Sequence, residues 1–178
     1  YVNTIFYTVV GTIINLLVTL PAGYALTKKA IPGRNLVMTM FMITMYFSGG
    51  LIPTFLVVNK LGLYNTRTIL LVMGAFSVYN CIICRSFFAA LPQELEEAAE
   101  IDGCNPIRSF VQIVLPLSKA LIGVMVLYFG VGHWNSYFDA FLYLTDKQLY
   151  PLQIYLKEIL VQSNIDTSQI GNSLDALQ

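Results

Sequence analysis

Charge is what this sequence has least of. Only 11% of its 178 residues are Asp, Glu, Lys or Arg, against about 25% in ordinary soluble domains. The shortfall is too large for a soluble globular core. With 56% hydrophobic residues and a mean hydropathy of +0.66, it makes a membrane protein the expected class. Ten basic residues balance ten acidic ones, so no basic face is available for nucleic acid. Histidine occurs once, at His133, which leaves no His cluster for zinc. The three cysteines, Cys81, Cys84 and Cys104, form an odd set without disulfide-framework spacing. Cys81 and Cys84 have redox spacing but lie inside an apolar run, which argues against redox or metal work. No GxxxxGK[ST] loop is present to hold ATP. No nucleophile–base pair stands out either, so the chain reads as a non-enzyme. It opens on Tyr1 rather than Met, with no secretory leader, and is expected to be a piece of a longer protein.

Long uncharged runs fill the space that charge leaves. A helix needs about 20 apolar residues to cross a bilayer. Residues 1–27, 35–59, 68–84 and 120–138 carry no charge. They predict spans at about 5–26, 36–58, 68–90 and 118–138. Arg85 is expected to snorkel from the end of the third. Pro21 and Pro53 fall inside spans, where neighbouring helices can satisfy the freed carbonyls. Runs of this length argue against the alternative, buried helices of a large soluble protein.

Basic residues set the expected orientation. Lys28, Lys29 and Arg34 lie in the first loop, and Arg85, Arg108 and Lys119 lie around the third. The positive-inside rule puts both loops in the cytoplasm. Lys60 and Arg67, with Lys147 and Lys157, then fall outside, and so does an outer loop at about 139–178. Within it, Leu152, Tyr155, Leu156, Ile159 and Leu160 give the stripe of an amphipathic helix. Such a helix fits either the membrane surface or a partner.

One stretch breaks the apolar pattern, 94-ELEEAAEIDGCNPIRSFVQIVLP-116. Four glutamates and one aspartate crowd into residues 94–102. Pro92 suits a first helical turn, and Glu94, Glu96 and Glu97 suit the positive end of a helix dipole. Leu95, Ala98 and Ala99 form a narrow apolar strip. Gly103 stands where a left-handed C-cap is expected. Asn105-Pro106 reads as N-cap and first turn of a second helix. Ile107, Phe110, Val111 and Val114 supply that helix's apolar stripe, and Pro116 is expected to break or kink it. The residues alone describe a cytoplasmic helix-turn-helix. A solvated connector would fit them equally well.

The order Glu97-Ala98-Ala99, Gly103, Ile113, Leu115-Pro116 resembles the EAA loop of ATP-binding-cassette importer permeases. Its EAAxxDG variant, with a following phenylalanine, is most similar to the maltose-type sugar permeases. The segment 3-NTIFYTVVGTIINLLVTLPAGYALTK-28 with 31-IPGR-34, and 134-WN-135, are similar to the family's second span and fifth-span end. The stretches 46-YFSGGLIPTFLVVNKLGLYNT-66 and 150-YPLQIYLKEIL-160 resemble a Gram-positive branch associated with complex oligosaccharides. The resemblance covers essentially the whole chain, and the EAA loop is its most specific part. The chain departs from the family in two respects. The family has about six spans, and the first and last are expected to lie outside this sequence. Cys104 stands where Ala is commoner.

The resemblance implies an all-α membrane protein with an importer permease core and a multi-pass place in a bacterial cell membrane. Two permease subunits pair around a path for a sugar or oligosaccharide, and ATPase subunits carrying ATP and Mg dock beneath them. An extracellular solute-binding protein delivers the substrate. Glu97, Ala98, Ala99, Asp102, Gly103, Ile113, Leu115 and Pro116 would form the ATPase-coupling loop. Glu97 would meet a basic partner, Ala98 and Ala99 would allow close approach, and Gly103 would aim the helix. A self-contained channel or secondary transporter is the alternative. It should carry intramembrane charges or inverted repeats, and neither is evident.

Trp134, Asn135, Tyr137 and Asp139 lie near the outer end of the last visible span. They are candidates for the substrate path, or alternatively satisfied interface residues. Tyr143, Tyr150 and Tyr155 fit either sugar stacking or an interfacial aromatic belt.

Overall fold

The computed structural model of the chain describes residues 1–29 and 31–175, and side chains as far as Ser163. Residues 176–178 of the expected outer loop lie outside the described residues. Among the described residues every element is helical, so the all-α expectation holds.

Helix α1 (Val2–Ala25) is the central post and runs unbroken through Pro21. Helices α2 (Arg34–Tyr46) and α3 (Leu51–Lys60) follow, then α4 (Arg67–Met73) and α5 (Val78–Ala89). The acidic stretch forms α6 (Gln93–Ile101) and α7 (Pro106–Ser109). A wide π turn (Phe110–Val114) and one turn, α8 (Leu115–Leu117), lead into α9 (Lys119–Asn135). Short α10 (Phe138–Tyr143) precedes α11 (Leu152–Asp175). Helix α1 packs chiefly on α9 and α5. Lipid supplies little hydrophobic drive for this, so close approach at small residues matters. At Gly23 an added Cβ would stand 2.8 Å from the Cβ of Cys84.

Among the described residues, α1 alone is long and apolar enough to cross a membrane, with up to four spans if each bent pair is one. The run expected as one span at 36–58 is the sharpest of these bends, with α2 and α3 at 115°. Pro53 does not make the break. It sits in the first turn of α3, where its missing N–H costs little. The chain turns at Ser48-Gly49-Gly50, where Gly50 has φ 86°, a value that favours glycine. The second pair, α4 and α5, bends by 48° around Gly74 to Ser77.

Pro116 marks a break before the last span, as expected, but the break is not a simple kink at the proline. Its ring would clash with the carbonyl four residues back. The helix has widened instead, with Leu115 N–H donating five residues back to Phe110 O, the signature of a π turn. The sharp 83° bend comes two residues later, at Ser118.

Two apolar cores occupy opposite ends of α1, which is about 36 Å long at 1.5 Å per residue. At its C-terminal end Leu20 and Tyr24 pack with Cys84, Phe88, Phe110, Val114 and residues of α9. Near its N-terminal end Val58, Ile69, Ala140, Tyr143, Leu144 and Ile154 form the other. Asn3, Thr4 and Tyr7 bind that region through hydrogen bonds to residues 148–152.

Candidate functional site

The α6–α7 hairpin carries the C-cap and second N-cap that its sequence predicts, but Pro92, expected in the first turn, is the N-cap before Gln93, where its extended ψ of 123° leaves it outside the helix. Gly103 has φ 76°, and Cys104 N–H reaches back 2.8 Å to Ala99 O while Gly103 N–H bonds Glu100 O at 3.0 Å. This paired bonding is a Schellman cap. An added Cβ at Gly103 meets nothing within 4 Å, so glycine is required there by backbone conformation and not by space. Asn105 Oδ1 accepts from Ile107 N–H at 3.0 Å, with Pro106 in the first turn.

The hairpin divides its apolar residues between two faces. Ala99, Phe110 and Val114 are buried, and Leu115 packs on the same core. Phe110 stacks on Tyr24 with ring centroids 4.8 Å apart. The apolar strip is therefore not one docking surface. Ala99 faces its own chain, and of the alanine pair only Ala98 is open. The exposed side holds Glu97, Ala98 and Asp102 together with Ile101, Ile107 and Val111. Ile101 is 86% and Ile107 72% exposed. Ile113 is half-buried and Pro116 exposed.

A mixed-charge cleft of about 450 Å³ separates α6 from the loop after α1. Lys28, Lys29, Arg34 and Arg85 line one side, and Glu96, Glu97 and Glu100 the other. Lys28 donates to Glu96 in an ion pair, and its Nζ stands 4.6 Å from the Tyr24 ring centroid. Burial works to lower the Lys28 pKa. The hydrogen bond to Glu96, aided by Tyr24, outweighs it and leaves the pKa above the ordinary lysine value. Arg85 Nε donates to Leu26 O at 3.1 Å, and Arg34 to Thr27 O at 3.0 Å. Cations thus satisfy carbonyls where α1 ends. Neither Lys28 nor Glu96 stands out in the sequence; only the opposite charges of the two segments hint at them.

The four pathway candidates do not form one group. Trp134 and Asn135 border a shallow groove with Thr8 and Val131. Tyr137 borders a different cleft of about 660 Å³, with Phe138, Phe141, Lys157 and Glu158. Lys157 Nζ stands 5.5 Å from the Tyr137 ring centroid, and Asn135 Oδ1 accepts from Gln153 at 3.1 Å. Asp139, just past the end of the α9 span, is partly buried, and burial raises its pKa. Tyr143 serves neither sugar nor a membrane belt. It is 2% exposed and stacks on Phe55 at 6.1 Å. The stripe expected on α11 is open at Leu156, Ile159 and Leu160, whereas Tyr155 donates its hydroxyl to Lys147 O at 3.1 Å and packs on Tyr150, and Ile154 is buried.

A polar site in the interior escaped the sequence reading. Asn15, 1% exposed, donates to Gly74 O and places its Oδ1 2.8 Å from His133 Nε2. The visible signal was an Asn in the middle of an apolar run. Its partners are 59 and 118 residues away. Cys81 and Cys84 are buried free thiols, and among the described residues no group of three His, Cys, Asp or Glu side chains converges for a metal.

The sequence pattern of the binding-protein-dependent transport system inner membrane component matches residues 1–138. The chain belongs to this family. Protein LplC of Bacillus subtilis is 45% identical over 96% of this chain. The polygalacturonan/rhamnogalacturonan transport system permease YtcP of the same organism is 40% identical over 95%. The chain spans 58% and 60% of these two relatives' lengths. A crystal structure of a bacterial ABC transporter involved in import of the acidic polysaccharide alginate matches 98% of this chain and 62% of its own, with TM-score 0.89 and 36% identity. The all-helical permease fold and the membrane location of this family member follow.

Proposed function

We propose that this chain is the core of a permease subunit in an ATP-binding-cassette importer of sugars or oligosaccharides. With a second permease it forms the substrate path, and it couples that path to a separate ATPase through the α6–α7 hairpin. The observation that carries this reading is the exposed hairpin face. Glu97, Ala98, Asp102, Ile101, Ile107 and Val111 combine two acidic groups, a flat approach and three open apolar side chains. That mixture suits a protein partner that covers the apolar groups and meets Glu97 with a cation. Ala99 and Leu115 support the hairpin from within, while half-buried Ile113 and exposed Pro116 flank its second arm. ATP and Mg are held by the ATPase. The names of the relatives favour oligosaccharides of acidic polysaccharides as cargo. Trp134, Asn135, Tyr137 and Asp139 are proposed to border the path at its outer end. The open face of α11 is proposed to meet the solute-binding protein.

The test uses the full-length permease assembled with the second permease and ATPase. Glu97→Lys is expected to release the ATPase, and Gly103→Val to keep it bound while transport of oligogalacturonides into vesicles is lost. Both variants should still insert in the membrane. Full coupled activity in both overturns the reading.

A further inference from the structure

The α6 helix is tied to its own membrane spans by one ion pair, Lys28 to Glu96. From this geometry we infer that Lys28 and Glu96 act as a strut that carries motion of the hairpin into α1; the inference rests on the coupling role proposed above. Glu96 differs from its neighbours on α6. Glu97 and Glu100 border the same cleft but are exposed, and Glu94 is exposed as well, whereas Glu96 is partly buried and paired with Lys28. Lys28 is fixed at the other end by more than charge. Its ammonium sits over Tyr24, and the Tyr24 ring packs edge-on to Phe88 and stacks on Phe110. Arg85 and Arg34 hold the carbonyls of Leu26 and Thr27 on either side of that loop's start. The loop is therefore anchored to α1 and α5, and Glu96 grips the anchored part.

The Tyr24–Phe110 stack ties the second arm of the hairpin to the same point. The first arm has Ala99 in the core and the Lys28 ion pair. Without the pair, α6 would pivot about Ala99 and Gly103, and α1 would follow it less. Lys28 and Glu96 are positioning residues in this scheme. They touch neither nucleotide nor cargo.

The test uses the full-length permease in its complex with the second permease and ATPase, with MgATP as the probe. Lys28→Glu and Glu96→Lys each sever the strut. ATPase closure then no longer works against the spans, and ATP turnover without cargo rises about fivefold, in the range of coupling changes from non-contact residues. The ATPase stays bound. The double exchange restores the pair with reversed sign and returns turnover to the wild-type value, as two residues that act through each other require, while the rise in cargo-free turnover with the ATPase still bound is what a merely structural role would not produce. Where a reversal does not reach the membrane, Glu96→Gln replaces it and gives a smaller rise in the same direction. Unchanged turnover in the single variants, no restoration in the exchange, or loss of the ATPase overturns the strut. Failure of the wild-type complex to retain an ATPase overturns the coupling role itself, so the two failures are told apart.

Discussion

His133 Nε2 lies 2.8 Å from Asn15 Oδ1 in the interior of the helix bundle. Asn15 in turn donates its amide to Gly74 O, at the break between α4 and α5. One small network thus joins α1, α9 and the end of α4. A carbonyl freed by a helix break needs such a donor when no water is at hand.

Removing either side chain should therefore cost stability. Asn15→Leu and His133→Leu are each expected to lower unfolding free energy by about 1–2 kcal/mol, the range for polar contacts between membrane helices. The double variant should lose less than the sum, because both singles break one network. Thermal unfolding of the purified complex in detergent checks this, and strict additivity would argue against a shared network.

The His133 ring is held between two glycines. A Cβ at Gly11 would stand 2.6 Å from Nε2, and one at Gly74 2.9 Å from Cε1. Gly11→Ala is expected to destabilise by about 1–3 kcal/mol through overpacking. Adding His133→Ala should recover part of that loss, since the clashing ring is gone. Melting temperatures of the single and double variants decide it, and a double variant worse than both singles sinks the account.

Asn65 clamps the two loops at the N-terminal end of α1. It has φ 56° and its Oδ1 accepts from the N–H groups of Thr145 and Asp146, both at 2.9 Å. Asn65→Ala loses both bonds and adds strain, for about 1–2 kcal/mol. Asn65→Gly keeps the conformation and loses only the bonds, so it should fall between Ala and wild type. Limited proteolysis near residue 145 gives the order, and equal protection in all three would refute it.

Asp139 predicts a pH dependence. Burial raises its folded-state pKa above the unfolded value. The folded chain then binds that proton more readily than the unfolded one, so this group's contribution falls as pH rises. Its penalty is present above the raised folded pKa and is relieved as pH falls through it. Asp139→Asn should raise the melting temperature at neutral pH and remove this component of the slope toward acid. A variant with an unchanged slope would show that the carboxyl is solvated.

Much of the chain is legible without coordinates. Lack of charge implies lipid, because charged side chains at the bilayer centre are costly. The caps at Gly103, Asn105 and Pro106 follow from local backbone rules and are found in place. Local rules failed where a second element was involved. Pro116 does mark the break of its helix, but local rules do not foresee the π turn beside it or the bend two residues on, at Ser118. Pro53 was expected inside a span, yet the turn came at Gly49-Gly50, where the backbone has the freedom to reverse.

Sequence by itself determined that the chain is helical and membrane-bound, and that residues 94–116 form a capped hairpin. Composition and short-range backbone sterics are enough for those features. Tertiary structure decided which face of each helix is spent inside the chain. It buried Ala99 and left Ala98 open, put Tyr143 in a core, set Glu96 apart from Glu97, and brought Asn15, Gly74 and His133 together. These choices depend on which helices meet. In a chain with almost uniformly apolar helices, hydrophobic periodicity says little about that.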